Sequence, residues 1–172
     1  HLDTYGTPEE VDKTFAEYLE KVPRHGKIIA NEDNDRLRNV AKKFGMKVIW
    51  YSLKNPEAAM VKSLLKIPGD HNVSNALAAL HVGRQLGIAE SDILRALGRF
   101  TGAWRRFEFM GMLNGASVFN DYGHHPSEIK ATLSAARDRF PFRRVICVYQ
   151  PHQHQWLQYL WNDFIGAFDL AD

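Results

Sequence analysis

Only one cysteine, Cys147, occurs among the 172 residues. No internal disulfide can form, and a lone thiol within the apolar run Val145-Ile146-Cys147-Val148 reads as a buried strand residue in a reducing compartment. No run approaches the roughly 20 apolar residues that a membrane helix needs, and no secretory-signal pattern is visible. The expected location is therefore the cytoplasm, with no membrane partner. Neither sign of charge is in excess: 22 Lys and Arg against 20 Asp and Glu leave +2, which removes the electrostatic case for a nucleic-acid partner. The phosphate-cradling string Gly-x-x-x-x-Gly-Lys-Thr is absent. So is an initiator Met, and the last residues run out on an apolar-periodic stretch, so the chain reads as an interior segment of a longer protein.

What is present is enough apolar sequence, 45%, to build a core. Thr7-Pro8-Glu9-Glu10 is a helix start with a capping-box pattern, and Val11, Phe15, Tyr18, Leu19 and Val22 form the stripe behind it. Lys27 to Asn31 and Lys47 to Tyr51 read as strands around a helix over 35–44 that ends at Gly45. Lys54 to Lys66 suits a loop or a short helix. A small-residue helix follows Pro68-Gly69 and runs to Gly87, and Ser91 caps another. Phe107 to Val118 reads as a β-hairpin turning at Asn114-Gly115. After it come a helix from Ser127 with Ile129, Leu133 and Ala136 inward, a buried strand over 143–149, and a helix over 156–168. Helices alternating with short strands predict βαβ units and a mostly parallel α/β sheet.

Phe119-Asn120-Asp121-Tyr122-Gly123-His124-His125-Pro126 concentrates the chemistry. A strand ending in an acid, a phenol and two imidazoles before a helix start is the usual binding position of an open α/β sheet. The helix start offers free N–H groups to an anion; the plainer alternative is a surface turn with a chance His pair. His71, Asn72 and Asn75 lie at the start of the small-residue helix. The asparagines suit a purine edge, or Asn72 simply caps the helix. Arg105-Arg106 beside aromatics can clamp phosphate or carboxylate, or be solvated charge. Gln150-Pro151-His152-Gln153-His154 is a second strand end carrying imidazoles.

Four blocks occur together and in order: His1-Leu2-Asp3-Thr4-Tyr5-Gly6, Pro68-Gly69-Asp70-His71-Asn72-Val73-Ser74-Asn75, Trp104-Arg105-Arg106-Phe107, and Asp121-Tyr122-Gly123-His124-His125-Pro126 with Gln150-Pro151-His152. The set resembles the Mur ligase family of peptidoglycan synthesis, over nearly the whole chain. The resemblance implies part of a central ATP-binding α/β domain at 1–102, followed by the start of a Rossmann-like C-terminal domain at 103–172. It implies ATP and Mg²⁺ as cofactors and, as small-molecule substrates, UDP-N-acetylmuramate and L-alanine, joined through an acyl phosphate.

Carried over residue by residue, His1 matches the magnesium-ligating His, and His71, Asn72 and Asn75 match the adenine-contacting block. Arg106, with Arg105 beside it, faces ATP phosphates, and Asp121 holds the ribose. Arg106 and His124 carry catalysis, while Tyr122, His124, His125 and His152 line the substrate side. The family's phosphate loop and uridine-binding N-terminal domain are expected upstream. Gln153 and Trp156 stand where the family carries arginines, and neither can make a charged bidentate contact. The Lys54–Lys66 link is shorter than the strand-rich passage usual in the family. Two alternatives stand beside this reading: a Zn²⁺-binding module built on His124, His125, His152 and His154, and a non-catalytic nucleotide-binding remnant.

Overall fold

Two short β-branched runs separated by an amphipathic helix are the sequence's clearest βαβ signal, and the computed structural model, which describes residues 5–43, 45, 47–151 and 154–172, pairs them. Strand β1 (Ile28–Asn31) lies parallel to β2 (Val48–Tyr51), with Ile28 opposite Val48 and Asn31 opposite Tyr51. Helix α2 (Asp35–Lys43) makes the crossover and buries Val40 and Ala41, as parallel pairing requires. Helix α1 (Pro8–Glu20) starts as its sequence predicts, the Thr7 side chain accepting from the Glu10 N–H. Its inward face differs from the expected stripe. Ala16 is buried, while Phe15 and Tyr18 are exposed.

The chain divides into two compact units. The first takes residues up to 65 together with 72–98, and the second takes 66–71 and 99–172. In the first, the ambiguous Lys54–Lys66 passage resolves as helix α3 (Glu57–Leu64). Helix α4 (Asp70–Gln85) begins earlier than its small-residue run suggests. Asn72 therefore lies inside the first turn and is not the cap. Helix α5 (Glu90–Arg99) likewise starts one residue before Ser91. The core of this unit is Ala58, Val61, Val73, Ala76, Leu77, Leu80 and Ile93. Gly83 allows the close approach, because a Cβ there would sit 2.6 Å from Ile93 Cδ1.

An ion chain ties these helices together. His81 Nε2 donates to Glu57 Oε1 at 2.7 Å, Arg84 Nη1 donates to Glu57 Oε2 at 2.8 Å, and the rest of the Arg84 guanidinium takes Glu90 at 2.9 and 3.0 Å. Burial alone would raise the Glu57 carboxyl, but Arg84 and His81 outweigh it and hold it below its ordinary range. Its contribution to stability is thus present above the ordinary carboxyl pKa and lost as pH falls through the depressed one. Glu57→Gln is expected to cost about 1–2 kcal/mol at neutral pH, in line with a charge-assisted hydrogen bond, and progressively less as pH falls through the depressed pKa. Urea unfolding from neutral pH into the acid range checks this; a loss independent of pH contradicts it.

The second unit opens with the predicted hairpin. Strands β3 (Glu108–Leu113) and β4 (Ala116–Asn120) are antiparallel and joined by Asn114 (φ 49°) and Gly115 (φ 83°), the left-handed pair that a two-residue turn requires. Helix α6 (Pro126–Arg139) follows, burying Ile129, Leu133, Ala135 and Ala136.

Two expectations for this unit are corrected. Residues 143–149 form no strand among the described residues. They keep strand periodicity: Val145, Cys147 and Tyr149 pack on the core while Ile146 and Val148 are 68% and 95% exposed. Among the described residues no neighbouring strand supplies a ladder; the Val145 backbone instead bonds Asp172, its N–H donating to the side-chain carboxylate at 2.7 Å and its C=O accepting from the Asp172 N–H at 2.8 Å. The single helix expected over 156–168 is two, α7 (His154–Tyr159) and α8 (Trp161–Ile165), interrupted at Leu160 (φ −114°, ψ 18°) and capped by Gly166. The break lets Leu157, Leu160, Phe164 and Phe168 reach one cluster with Ile129 and Leu133, and leaves Trp161 and Ile165 exposed. Among the described residues no helix is long and apolar enough to cross a membrane.

Candidate functional site

The turn between β4 and α6 is held from both sides by carboxylates. Asp121 Oδ1 accepts from the Gly123 N–H at 2.7 Å, and Oδ2 accepts from the Phe107 N–H at 2.8 Å. One acid thus fixes its own turn and clamps the Trp104–Phe107 segment to it, helped by the Tyr122 N–H donating to Arg105 O at 2.8 Å. Arg105 and Phe107 both have left-handed backbone, φ 55° and 48°, an uncommon conformation for side-chain-bearing residues. The strain is held by hydrogen bonds to acids, since the Arg105 N–H also donates to Glu108 Oε2 at 2.9 Å.

Glu128 does the same on the helix side. Its Oε2 accepts from the N–H groups of His124 and His125 at 3.0 and 3.1 Å, and lies 3.5 Å from His124 Nδ1. Its Oε1 faces Arg106 Nη1 at 3.7 Å. Desolvation would raise this carboxyl, but the two backbone donors and the neighbouring cations prevail and hold it low, so it is ionised at neutral pH. His125 is the N-cap of α6: its Nδ1 accepts from the Ser127 N–H at 3.2 Å and lies 2.7 Å from Ser127 Oγ. That side chain therefore has a structural duty beyond the substrate contact expected of it.

The cations of the site are spread over one ring. The Arg105 guanidinium carbon lies 4.7 Å from the Tyr122 ring centre and that of Arg106 lies 6.0 Å from it, within cation–π range. Tyr122 in turn meets His124 edge-on at 5.6 Å. His124 Nδ1 faces the Tyr122 carbonyl oxygen at 3.2 Å as well as Glu128. Two acceptors on that side place the proton on Nδ1 and make Nε2 the basic nitrogen.

His71 belongs to the same unit as the turn. Desolvation lowers its pKa, opposed by the Asp121 carboxylate and reinforced by Arg106. Gly69 makes room for the imidazole. It has φ +97°, and a Cβ there would lie 2.7 Å from the His71 ring and 2.9 Å from Ala135 Cβ on α6. Gly69→Ala is expected to lose about 1–3 kcal/mol of stability from backbone strain, before adding the displacement of His71. Chemical unfolding checks it, and parental stability would contradict this packing.

The remaining predicted residues fall elsewhere. Asn72 and Asn75 lie on α4 in the first unit. His1 and His152 lie outside the described residues, as do Gln153 and the side chains of His154 and Trp156. Among the described residues no group of three or more His, Cys, Asp or Glu is arranged to hold a metal, so the zinc alternative gains no support there.

A cleft of about 1150 Å³ opens beside the turn, lined on its polar side by Arg105, Tyr122, His124, Arg144, Tyr149 and Gln150 and floored by Ile129, Leu133 and Ala136. It has room for a nucleotide-sized ligand. Tyr149 donates its O–H to His124 O at 3.1 Å, so the segment over 143–149 also braces the turn. Sequence reasoning missed Glu108, Glu128 and Tyr149. Only Glu128 had a local signal, its position three residues after a cap, obscured because the cap is a histidine.

Two family models match the chain: "Mur ligase middle domain" over residues 1–65 and "Mur ligase, glutamate ligase domain" over 105–169. Among curated relatives, the UDP-N-acetylmuramate–L-alanine ligase of Pelotomaculum thermopropionicum is 38% identical over 195 residues, all of this chain but 42% of the relative. That of Bdellovibrio bacteriovorus is 34% identical and 43% covered. The chain thus spans less than half the length of these relatives. Among solved structures, the UDP-N-acetylmuramate-alanine ligase of Thermotoga maritima superposes with a TM-score of 0.72 at 22% identity, over all of this chain and 42% of that one. A murein peptide ligase from Psychrobacter arcticus gives 0.58 at 23% identity, over 94% of this chain and 39% of that one. At such identities these two speak for the fold.

Proposed function

Because the chain belongs to the Mur ligase family, we propose that the protein carrying it joins an amino acid to the carboxylate of a nucleotide-sugar, in a reaction driven by ATP. The substrates of this reading are UDP-N-acetylmuramate and L-alanine, and the setting is peptidoglycan precursor synthesis in the cytoplasm. The observation that carries it is the gathering of Asp121, Arg105, Arg106 and His124 about the β4–α6 turn, where an acid, two guanidiniums over the Tyr122 ring and an imidazole are fixed by the contacts described above.

The roles follow from the donors each ligand part needs. Asp121 uses two of roughly four acceptor positions on the Phe107 and Gly123 N–H groups, and the others suit ribose hydroxyls. His71, Asn72 and Asn75 supply donors and acceptors for adenine. A substrate carboxylate oxygen attacks the γ-phosphorus, ADP leaves, and an acyl phosphate forms. Arg106 offsets the charge that builds on the phosphoryl oxygens, and Arg105, stacked on Tyr122, extends the cationic wall. The amine then attacks the acyl carbon and phosphate departs. His124 Nε2 is the base that takes the proton released by the attacking amine. Tyr122, His125 and His152 line the substrate side.

Magnesium accompanies ATP in this reading. It takes oxygen ligands and keeps several waters, and no protein cage for it exists among the described residues, so no step is assigned through it. His1 is the protein ligand this reading assigns. In this reading the domain boundary falls at 102/103.

The test is phosphate release by the intact protein given ATP, UDP-N-acetylmuramate and each amino acid in turn. Release dependent on both the nucleotide-sugar and L-alanine is the expected result. Release indifferent to the amino acid contradicts the assignment.

A further inference from the structure

Glu128 reaches both the arginine side and the histidine side of the site from one fixed point, and neither the family match nor the residue roles above assign it anything. Its location is rigid, three residues into α6, beside the buried Ile129. One oxygen is engaged by two backbone N–H groups, at 3.0 and 3.1 Å. The other is turned to Arg106 at 3.7 Å. Arg106 needs such an anchor, because its neighbour Arg105 occupies the nearer position on the Tyr122 ring and two adjacent guanidiniums repel. The pair is half-exposed, with side-chain exposures of 54% and 35%, so its Coulomb energy contributes little to folding. Its consequence is where the Arg106 guanidinium sits.

We propose that Glu128 is a positioning residue, which caps the turn through one carboxylate oxygen and aims the Arg106 guanidinium at the transferring phosphoryl group through the other. This rests on the ligase reading. The carboxylate thereby couples two groups that act in successive steps: Arg106 in phosphoryl transfer, and His124, whose backbone and ring both face the capping oxygen, in amine attack.

Glu128→Gln separates the two duties. The amide keeps one oxygen, which stays on the His124 and His125 N–H groups because turning away would orphan two donors. Its NH₂ then faces Arg106, donor against donor. In the intact protein this variant is expected to stay folded, with a somewhat lower melting temperature from the lost carboxylate charge, while kcat falls about tenfold and KM for ATP stays within about twofold, the pattern of a contact that matters in the transition state. Arg106→Ala/Glu128→Gln should be little slower than Arg106→Ala alone, since the contact that the amide breaks is the one to the arginine while its oxygen stays on the His124 side. Multiplying losses, or an unimpaired Glu128→Gln, would overturn the proposal.

A second readout needs no turnover. By ¹⁵N relaxation the Arg106 Nε–H should be ordered in the parent and mobile in Glu128→Gln. Equal order in both overturns the positioning role, even in a protein that shows no amino-acid-dependent phosphate release; that absence itself would count against the ligase reading instead.

Discussion

Arg106→Ala in the intact protein is expected to lower kcat by about 100-fold or more, with a rise in KM for ATP of less than about tenfold, the range seen when one preorganised donor is removed from developing charge. The reason is geometric. Arg106 is more than half exposed and is held by a carboxylate and a ring face, so it is not committed to the core and its removal should leave the fold intact. Its neighbour does not substitute, because Arg105 is stacked on Tyr122 at 4.7 Å and its backbone is fixed by Glu108. Arg106→Lys should recover only part of the loss, since a point charge cannot reproduce a planar fork. Steady-state kinetics with saturating nucleotide-sugar and amino acid decide it. A rise in KM with kcat unchanged would mean that Arg106 only binds nucleotide.

Asp121→Ala should do more harm, and of a different kind. Both oxygens already serve backbone N–H groups, so the substitution orphans two donors at about 1–3 kcal/mol each and releases Phe107 from its left-handed backbone. Nucleotide binding should therefore be lost together with local order. Asp121→Asn should not rescue it, because the amide NH₂ must face either the Phe107 or the Gly123 N–H. Hydrogen exchange at Phe107 and Gly123, with ATP titration of the same samples, checks both halves. Faster exchange with ATP affinity retained would leave Asp121 a structural role alone.

How far the sequence revealed this depends on how local each signal is. Thr7-Pro8 and Asn114-Gly115 are local chemistry, and their elements formed as expected. The Ile129, Leu133 and Ala136 face was legible for the same reason. The 143–149 segment misled because its alternation is a property of side chains, whereas a strand needs a partner backbone, which the pattern cannot supply. The helix break at Leu160 carries no residue signal, while Gly166 caps the second helix two residues short of the expected end.

In the site, the residue types at Asp121, Tyr122, His124 and Arg106 were legible as a cluster. What they hold onto was not. Asp121 is paired with a main-chain donor fourteen residues away, and backbone groups leave no mark in a sequence. Glu57, His81, Arg84 and Glu90 were unread because three separate helices bring them together.

The most direct test of the ligase reading follows one atom. If the substrate carboxylate attacks the γ-phosphorus, one of its oxygens must leave with the phosphate when the amine displaces it. UDP-N-acetylmuramate labelled with ¹⁸O in the carboxylate, turned over by the intact protein with ATP and L-alanine, should give one ¹⁸O in each phosphate released, read by mass spectrometry or ³¹P NMR. Amide product formed alongside unlabelled phosphate would contradict the acyl-phosphate route, and with it the roles of Arg106 and His124.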